Sequence, residues 1–191
     1  ERALSPTRQF TRGRGVPTTV KPTEDLAELG DWLSLNGPPT IMECFDISNI
    51  SSTHIVASMV RFKNGLPDNQ NYRQYRIRTV DGQDDFASMA EVVRRRYGRI
   101  LQENMEANPE GAESPQETPV ETLRRLAAEG RSPVTLPDLV IVDGGKGKLS
   151  VSVAEFQRLG LGGLQICGLA KQREEIFFPG ESEPVIIPHD R

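Results

Sequence analysis

A chain of 191 residues has room for one domain with an appendage or for two small ones. Its 36% apolar content is modest but clustered, no run of about eighteen apolar residues exists to span a membrane, and the basic N-terminus lacks the apolar stretch of a secretory signal. The net charge of −4 excludes a uniformly basic nucleic-acid binder, but residues 102–121 hold six glutamates and no Lys or Arg, and removing those six charges leaves +2 elsewhere.

Residues 1–22 are basic, contain Pro and Gly, and show little periodicity; they read as linker from the interior of a longer protein. Residues 23–35 offer a helix capped by Thr23, with Glu24 and Asp25 in its first turn and Leu26, Leu29 and Leu33 as a partial apolar stripe. Residues 1–38 are thus a linker and a short helix from a preceding region. Asn36-Gly37-Pro38-Pro39 opens the main domain, 39–191.

Residues 41–47 form a strand with apolar residues on both faces, as in a central, doubly covered position. A second strand spans 54–62, and Asn64-Gly65 with Leu66-Pro67 supplies a hairpin turn. A third spans 72–79. A helix over 84–101, capped by Asp84, lines up Phe86, Met89, Val93, Tyr97 and Ile100 on one face. Residues 102–119 are rich in Glu, Pro and Asn, which signals mobility, and a mobile insertion is placed over 102–135 as a whole. A short helix over 120–128 falls inside it. A strand over 139–142, a helix over 148–159, a strand over 164–169 and a terminal hairpin complete the chain. The order predicts an α+β or mixed α/β fold, its sheet antiparallel in one half and parallel in the other, with three antiparallel strands and two parallel ones flanked by helices.

Two apolar strands each run into one aspartate: Asp46 in TIMECFDIS and Asp143 in LVIVDGG. Either could be a plain turn aspartate. A right-handed crossover, however, sets the later parallel strand beside the first, so the two carboxylates meet at the sheet edge where open α/β folds place ligands. Paired carboxylates in apolar strands are costly without a partner, and oxygen ligands suit magnesium or manganese. That pattern points to metal-dependent phosphodiester chemistry. GGKGK, residues 144–148, fails the Walker spacing, since Val142 stands where its first glycine belongs and Leu149 where Ser or Thr belongs. Lys146 or Lys148 can still reach a DNA phosphate, or simply be solvated. Arg73, Arg76 and Arg95 are further candidate phosphate contacts within the basic groups 73–78 and 94–99. Asp84 and Asp85 read first as helix cap and first-turn charge, with a third metal ligand as the alternative. His54 reads as structural and His189 has no assigned role. Cys44 and Cys167, without CxxC or Cys/His spacing, read as buried free thiols of a cytosolic protein and argue against a zinc site.

The motifs ECFDIS, VASMV, YRQYRI, DDFASMAEVVRRRY, PDLVIVDGGKG and GLAK…EEIFFPG, in that order over about 39–189, resemble the C-terminal endonuclease domain of UvrC, a component of excinuclease ABC. The resemblance implies an RNase H-like fold and incision of the damaged strand 5′ to a lesion in bacterial nucleotide excision repair, with Mg2+ or Mn2+. It implies catalytic roles for Asp46, Asp143 and Asp85, the first two holding metal. Its implied partners are damaged double-stranded DNA and the excinuclease component UvrB, with UvrA acting earlier in the pathway; no membrane is involved, and the site of action is cytoplasmic. The family's catalytic histidine helix and helix-hairpin-helix tail have no counterpart up to Arg191, so weak activity of this stretch alone is expected. Lys148 stands where the family commonly has glutamine. A catalytically incomplete DNA-binding or docking module is the alternative, and a Walker-B-like NTPase element at LVIVD a weaker third.

Overall fold

The computed structural model describes residues 21–51, 54–80, 82–109 and 116–186. Strand β1 (Ile41–Ser51) turns into β2 (His54–Lys63) in antiparallel register, Phe45 opposite Met59 and Asp46 opposite Ser58. Two short strands, β3 (Leu66–Pro67) and β4 (Arg73–Arg76), pair with successive parts of the outer edge of β2. Strand β5 (Leu139–Asp143) lies parallel to β1, and β6 (Ile166–Ala170) parallel to β5. The hairpin β7 (Glu175–Phe177) and β8 (Val185–Ile186) extends the sheet antiparallel. The eight described strands form one mixed sheet in the order β3-β2-β1-β5-β6-β7-β8, with β4 beside β2. This is the mixed α/β, RNase H-like arrangement expected, with the two parallel strands following on from the first.

The main core lies between one face of this sheet and helices α2 (Asp85–Ala107), α3 (Pro119–Ala128) and α4 (Lys146–Arg158). Phe45, Tyr97 and Phe156 interlock there edge to face, at centroid separations of 6.1 and 5.0 Å, a geometry aromatic quadrupoles favour. On the opposite face, Leu29, Leu33 and Leu35, in and just after α1 (Pro22–Trp32), cover Met42, Leu139 and Cys167. Among the described residues no helix is long and apolar enough to cross a membrane.

Several boundaries differ from the sequence reading. Helix α1 begins at Pro22, so Thr23 lies inside it and does not cap it; Lys21 stands at the cap without a side-chain bond. The third strand ends at Arg76, because the amides of Arg78 and Thr79 turn to the Glu91 carboxylate instead of continuing along β2. Helix α2 runs on to Ala107, not Leu101. Asn104 and Asn108, buried on its inner face, donate to the carbonyls of Val134 and Arg131. Much of the stretch 102–135 therefore has regular structure. Helix α3 enters through a Thr118–Glu121 capping box and buries Leu123 and Leu126 in the main core.

Candidate active site

The alternation of β1 sends side chains to two different environments. Glu43, Phe45 and Ile47 are buried, whereas Cys44 and Asp46 on the other face are only partly covered. Beside β1, Phe45 is in register with Val142, so the next step along both strands brings Asp46 beside Asp143. Burial raises the Asp46 pKa, and the neighbouring Asp143 raises it further, through its charge and through the hydrogen bond it would accept from a protonated Asp46; Lys171 and Lys148 act in the opposite sense. The sequence-predicted pair is thus brought together, an all-oxygen donor set where β5 ends beside the middle of β1.

Glycines shape the backbone around the pair. The Asp143–Gly144 turn folds down onto β6, where the Gly144 amide donates to Leu169 O at 3.0 Å. A Cβ on Gly168 would lie 2.8 Å from Gly144 O, so the turn can settle only over a residue without one. Just past β6, Lys171 donates from Nζ to Asp143 Oδ2 at 2.6 Å, and that bond raises the lysine's pKa. Lys171 belongs to the GLAK motif but carried no expected role; its signal in the sequence is a lysine one residue beyond a strand parallel to the Asp143 strand.

Asp85 does not join the acid pair. It stands at the first position of α2, behind the Asp84 cap, which accepts from Ala87 N. Its Oδ2 lies 3.3 Å from Lys148 Nζ and its Oδ1 3.5 Å from Asn49 Nδ2. Among the described residues no cluster of three or more Asp, Glu, His or Cys side chains is arranged to hold a metal.

The basic candidates separate into two places. Lys146 donates to Ser182 O and lies 5.7 Å from the centroid of the Phe177 ring, while Lys148 faces Asp85. Both are at the acid-pair end of α4. Arg73, Arg76 and Arg95 gather at the β4 edge, beyond β2: Arg73 bonds the carbonyls of Gln70 and Tyr72, and Arg95 bonds Arg76 O and Glu91 over the Tyr75 ring. The arginine run of α2 disperses, as its spacing predicts. Arg94 faces Glu155, Arg99 pairs with Glu103, and Arg96 turns inward. His54 opens β2, away from the pair in sequence, and His189 lies outside the described residues.

Directly behind the site strand is a buried ionic cluster that sequence reading did not identify. Glu43 Oε1 accepts from Arg61 Nη1 and Arg96 Nη2, both at 2.6 Å, and Oε2 accepts from Tyr97 Oη at 2.8 Å and Arg96 Nε at 3.3 Å. Burial alone would raise the Glu43 pKa; Arg96, Arg61 and Tyr97 together hold it below its ordinary value. The cluster ties β1, β2 and α2 into one unit.

A family model described as the UvrC RNase H endonuclease domain matches residues 30–191. Among curated proteins, the chain is 40% identical over 174 residues to the UvrABC system protein C of Dehalococcoides mccartyi, covering 91% of this chain and 25% of the relative. It is 42% identical over 162 residues to that of Methanococcus maripaludis, covering 85% and 25% respectively. The protein of the same name from a Parafrankia species is 43% identical over 172 residues, covering 85% of this chain and 24% of the relative. The chain therefore spans about a quarter of the length of these relatives. A solved structure of Ciona intestinalis endonuclease V with DNA aligns at a TM-score of 0.39 and 16% identity, over 78% of this chain and 56% of that one.

Proposed function

Since the chain belongs to the UvrC RNase H endonuclease domain family, we propose that it is the phosphodiester-cleaving domain of a nucleotide excision repair nuclease, with Asp46 and Asp143 as its metal-holding acids. The substrate is the damaged strand of double-stranded DNA, incised 5′ to the lesion. UvrB is the immediate partner and UvrA acts earlier in the same pathway. The cytoplasm is the proposed site of action. The observation that carries this reading is the side-by-side placement of the two carboxyls on parallel strands, with burial and mutual repulsion raising Asp46.

That repulsion is what a bound dication relieves, and two carboxylates with no nitrogen or sulfur donor fit Mg2+ or Mn2+. When bound, the ion would supply Lewis-acid polarisation of the phosphate and activation of a water. The side chains have distinct tasks. Asp46 and Asp143 present oxygens from rigid strands, and Gly168 allows the turn that fixes Asp143. Lys171, 62% exposed and already bound to Asp143, carries a positive charge at the acid pair that can meet an incoming phosphate. Lys148 spans from the pair toward Asp85, whose role is to position that lysine. Because these contacts address the backbone and not base edges, binding is sequence-independent and salt-sensitive.

The test pairs metal uptake with cleavage. Electron paramagnetic titration with Mn2+ should show binding that is lost in Asp46→Asn and Asp143→Asn. Nicking of a lesion-bearing duplex in Mg2+ or Mn2+ should fall by about two or more orders of magnitude, the scale expected for lost metal assistance. Unchanged Mn2+ uptake in both variants would overturn the site assignment.

A further inference from the structure

Five residues of α2 share the apolar stripe read from its sequence: Phe86, Met89, Val93, Tyr97 and Ile100. Four are buried in the main core, but Phe86 is 52% exposed. Phe86 adjoins Asp85, and its ring lies so close on the first turn of α4 that a Cβ at Gly147 would stand 2.5 Å from a ring carbon. Gly147 is the residue between Lys146 and Lys148. The outcome is an open aromatic ring seated on a glycine that has a lysine on either side in the chain, at the end of the sheet that holds the acid pair.

We propose that Phe86 is a stacking platform for an unstacked nucleobase of the strand engaged at this site. Binders of single-stranded nucleic acid combine cationic groups along the backbone with aromatic faces for the bases. Lys146 and Lys148 supply the former beside the ring that supplies the latter. A base inside a duplex has both faces covered by its neighbours, so a strand that stacks on Phe86 is locally opened at that nucleotide. The site then takes opened DNA in preference to continuous duplex. Only the identity of the ligand as DNA rests on the nuclease reading.

The test uses a single-stranded oligonucleotide carrying one 2-aminopurine, titrated with the 191-residue chain while fluorescence quenching and anisotropy are followed. Wild type should quench the base. Phe86→Trp should quench it as well. Phe86→Leu keeps an apolar contact with Gly147 but has no flat face; it should lose the quenching and bind about 5- to 150-fold more weakly, the range for one stacked base. A thermal melt of each variant guards against misfolding as the cause. Equal quenching and affinity in Phe86→Leu and wild type would overturn the proposal, as would binding by wild type with no quenching at any base position. The two readings fail separately. Loss of Mn2+ uptake in Asp143→Asn with no effect of Phe86→Leu leaves the nuclease site standing without the platform. Phe86-dependent quenching without Mn2+ uptake leaves the platform standing without the metal.

Discussion

Lys171 and Asp143 form a 2.6 Å ion pair at the rim of the sheet, and the same ammonium acts on Asp46 as well. The acid pair thus carries a cation from its own chain in front of it. A lysine in that position opposes a metal ion and attracts a phosphate, and the two effects can be measured apart.

Lys171→Gln should tighten Mn2+ binding severalfold, because it removes one positive charge at hydrogen-bond distance from Asp143, a proposed ligand carboxylate. The same change should weaken DNA binding and reduce the slope of log affinity against log salt by about one. Mn2+ titration and anisotropy across a salt series would check both. Changes in the same direction would show that Lys171 does not stand between metal and phosphate.

Gly168→Ala adds a methyl group 2.8 Å from a backbone oxygen, a contact no rotamer change can relieve. Overpacking of this kind costs about 1–3 kcal/mol. Urea unfolding should show the loss. Mn2+ affinity should drop too, since the displaced turn is the one that carries Asp143. Wild-type affinity in a destabilised variant would separate the turn from the site.

Glu43→Gln should destabilise the fold by about 3–5 kcal/mol, the scale for breaking a buried ion pair and stranding its partners. Two arginines, Arg61 and Arg96, would lose their shared anion. The pH dependence has a definite sign. Glu43 is held below its ordinary value of 4.5 when folded, so the unfolded chain takes up the proton first as pH falls. Its stabilising contribution is whole above about pH 4.5 and is lost as pH drops from there through the folded-state pKa. Denaturant midpoints measured from neutral pH down to about pH 3 should fall in wild type with a component missing from Glu43→Gln. Parallel curves would refute the assignment.

Asn104→Ala should cost only about 1 kcal/mol, despite near-complete burial. The Nδ2 bond that ties α2 to Val134 O is lost, but so is an Oδ1 that has no partner. Chemical denaturation of this variant would measure how firmly the end of α2 holds the segment that follows α3.

The acid pair was legible because strand signals are local. A short, largely apolar run reached an aspartate twice, and one topological rule placed the second strand beside the first. The extent of α2 was harder to read. Glu103, Glu106 and the Asn residues look like loop composition, and only packing shows that Asn104 and Asn108 face inward to carbonyls 30 and 23 residues away. The Glu43 cluster was hidden for a related reason. Arg96 reads as one of a basic run, and nothing local distinguishes it from Arg95. Two signals were present: Glu43 shares the β1 face of Phe45 and Ile47, and Arg96 is one turn from Val92 and Ile100. Each charge sits on an apolar face, and each required the other. Lys171 escaped because the contact crosses from one strand end to the next.

Strand β1 carries opposite obligations on its two sides, and this protects its alignment during folding. A slip of one residue would turn Asp46 toward Tyr97 and the aliphatic layer, and would carry Glu43 out to the open side. Arg61 and Arg96 would then be enclosed without their anion, while an aspartate would be enclosed without its cation. In a strand apolar on both faces, a slip only exchanges one aliphatic side chain for another. Here the error is charged on both faces at once, so the mispaired sheet has no comfortable intermediate. The carboxylate that looks inward thereby acts as a proofreading mark for the one that looks outward.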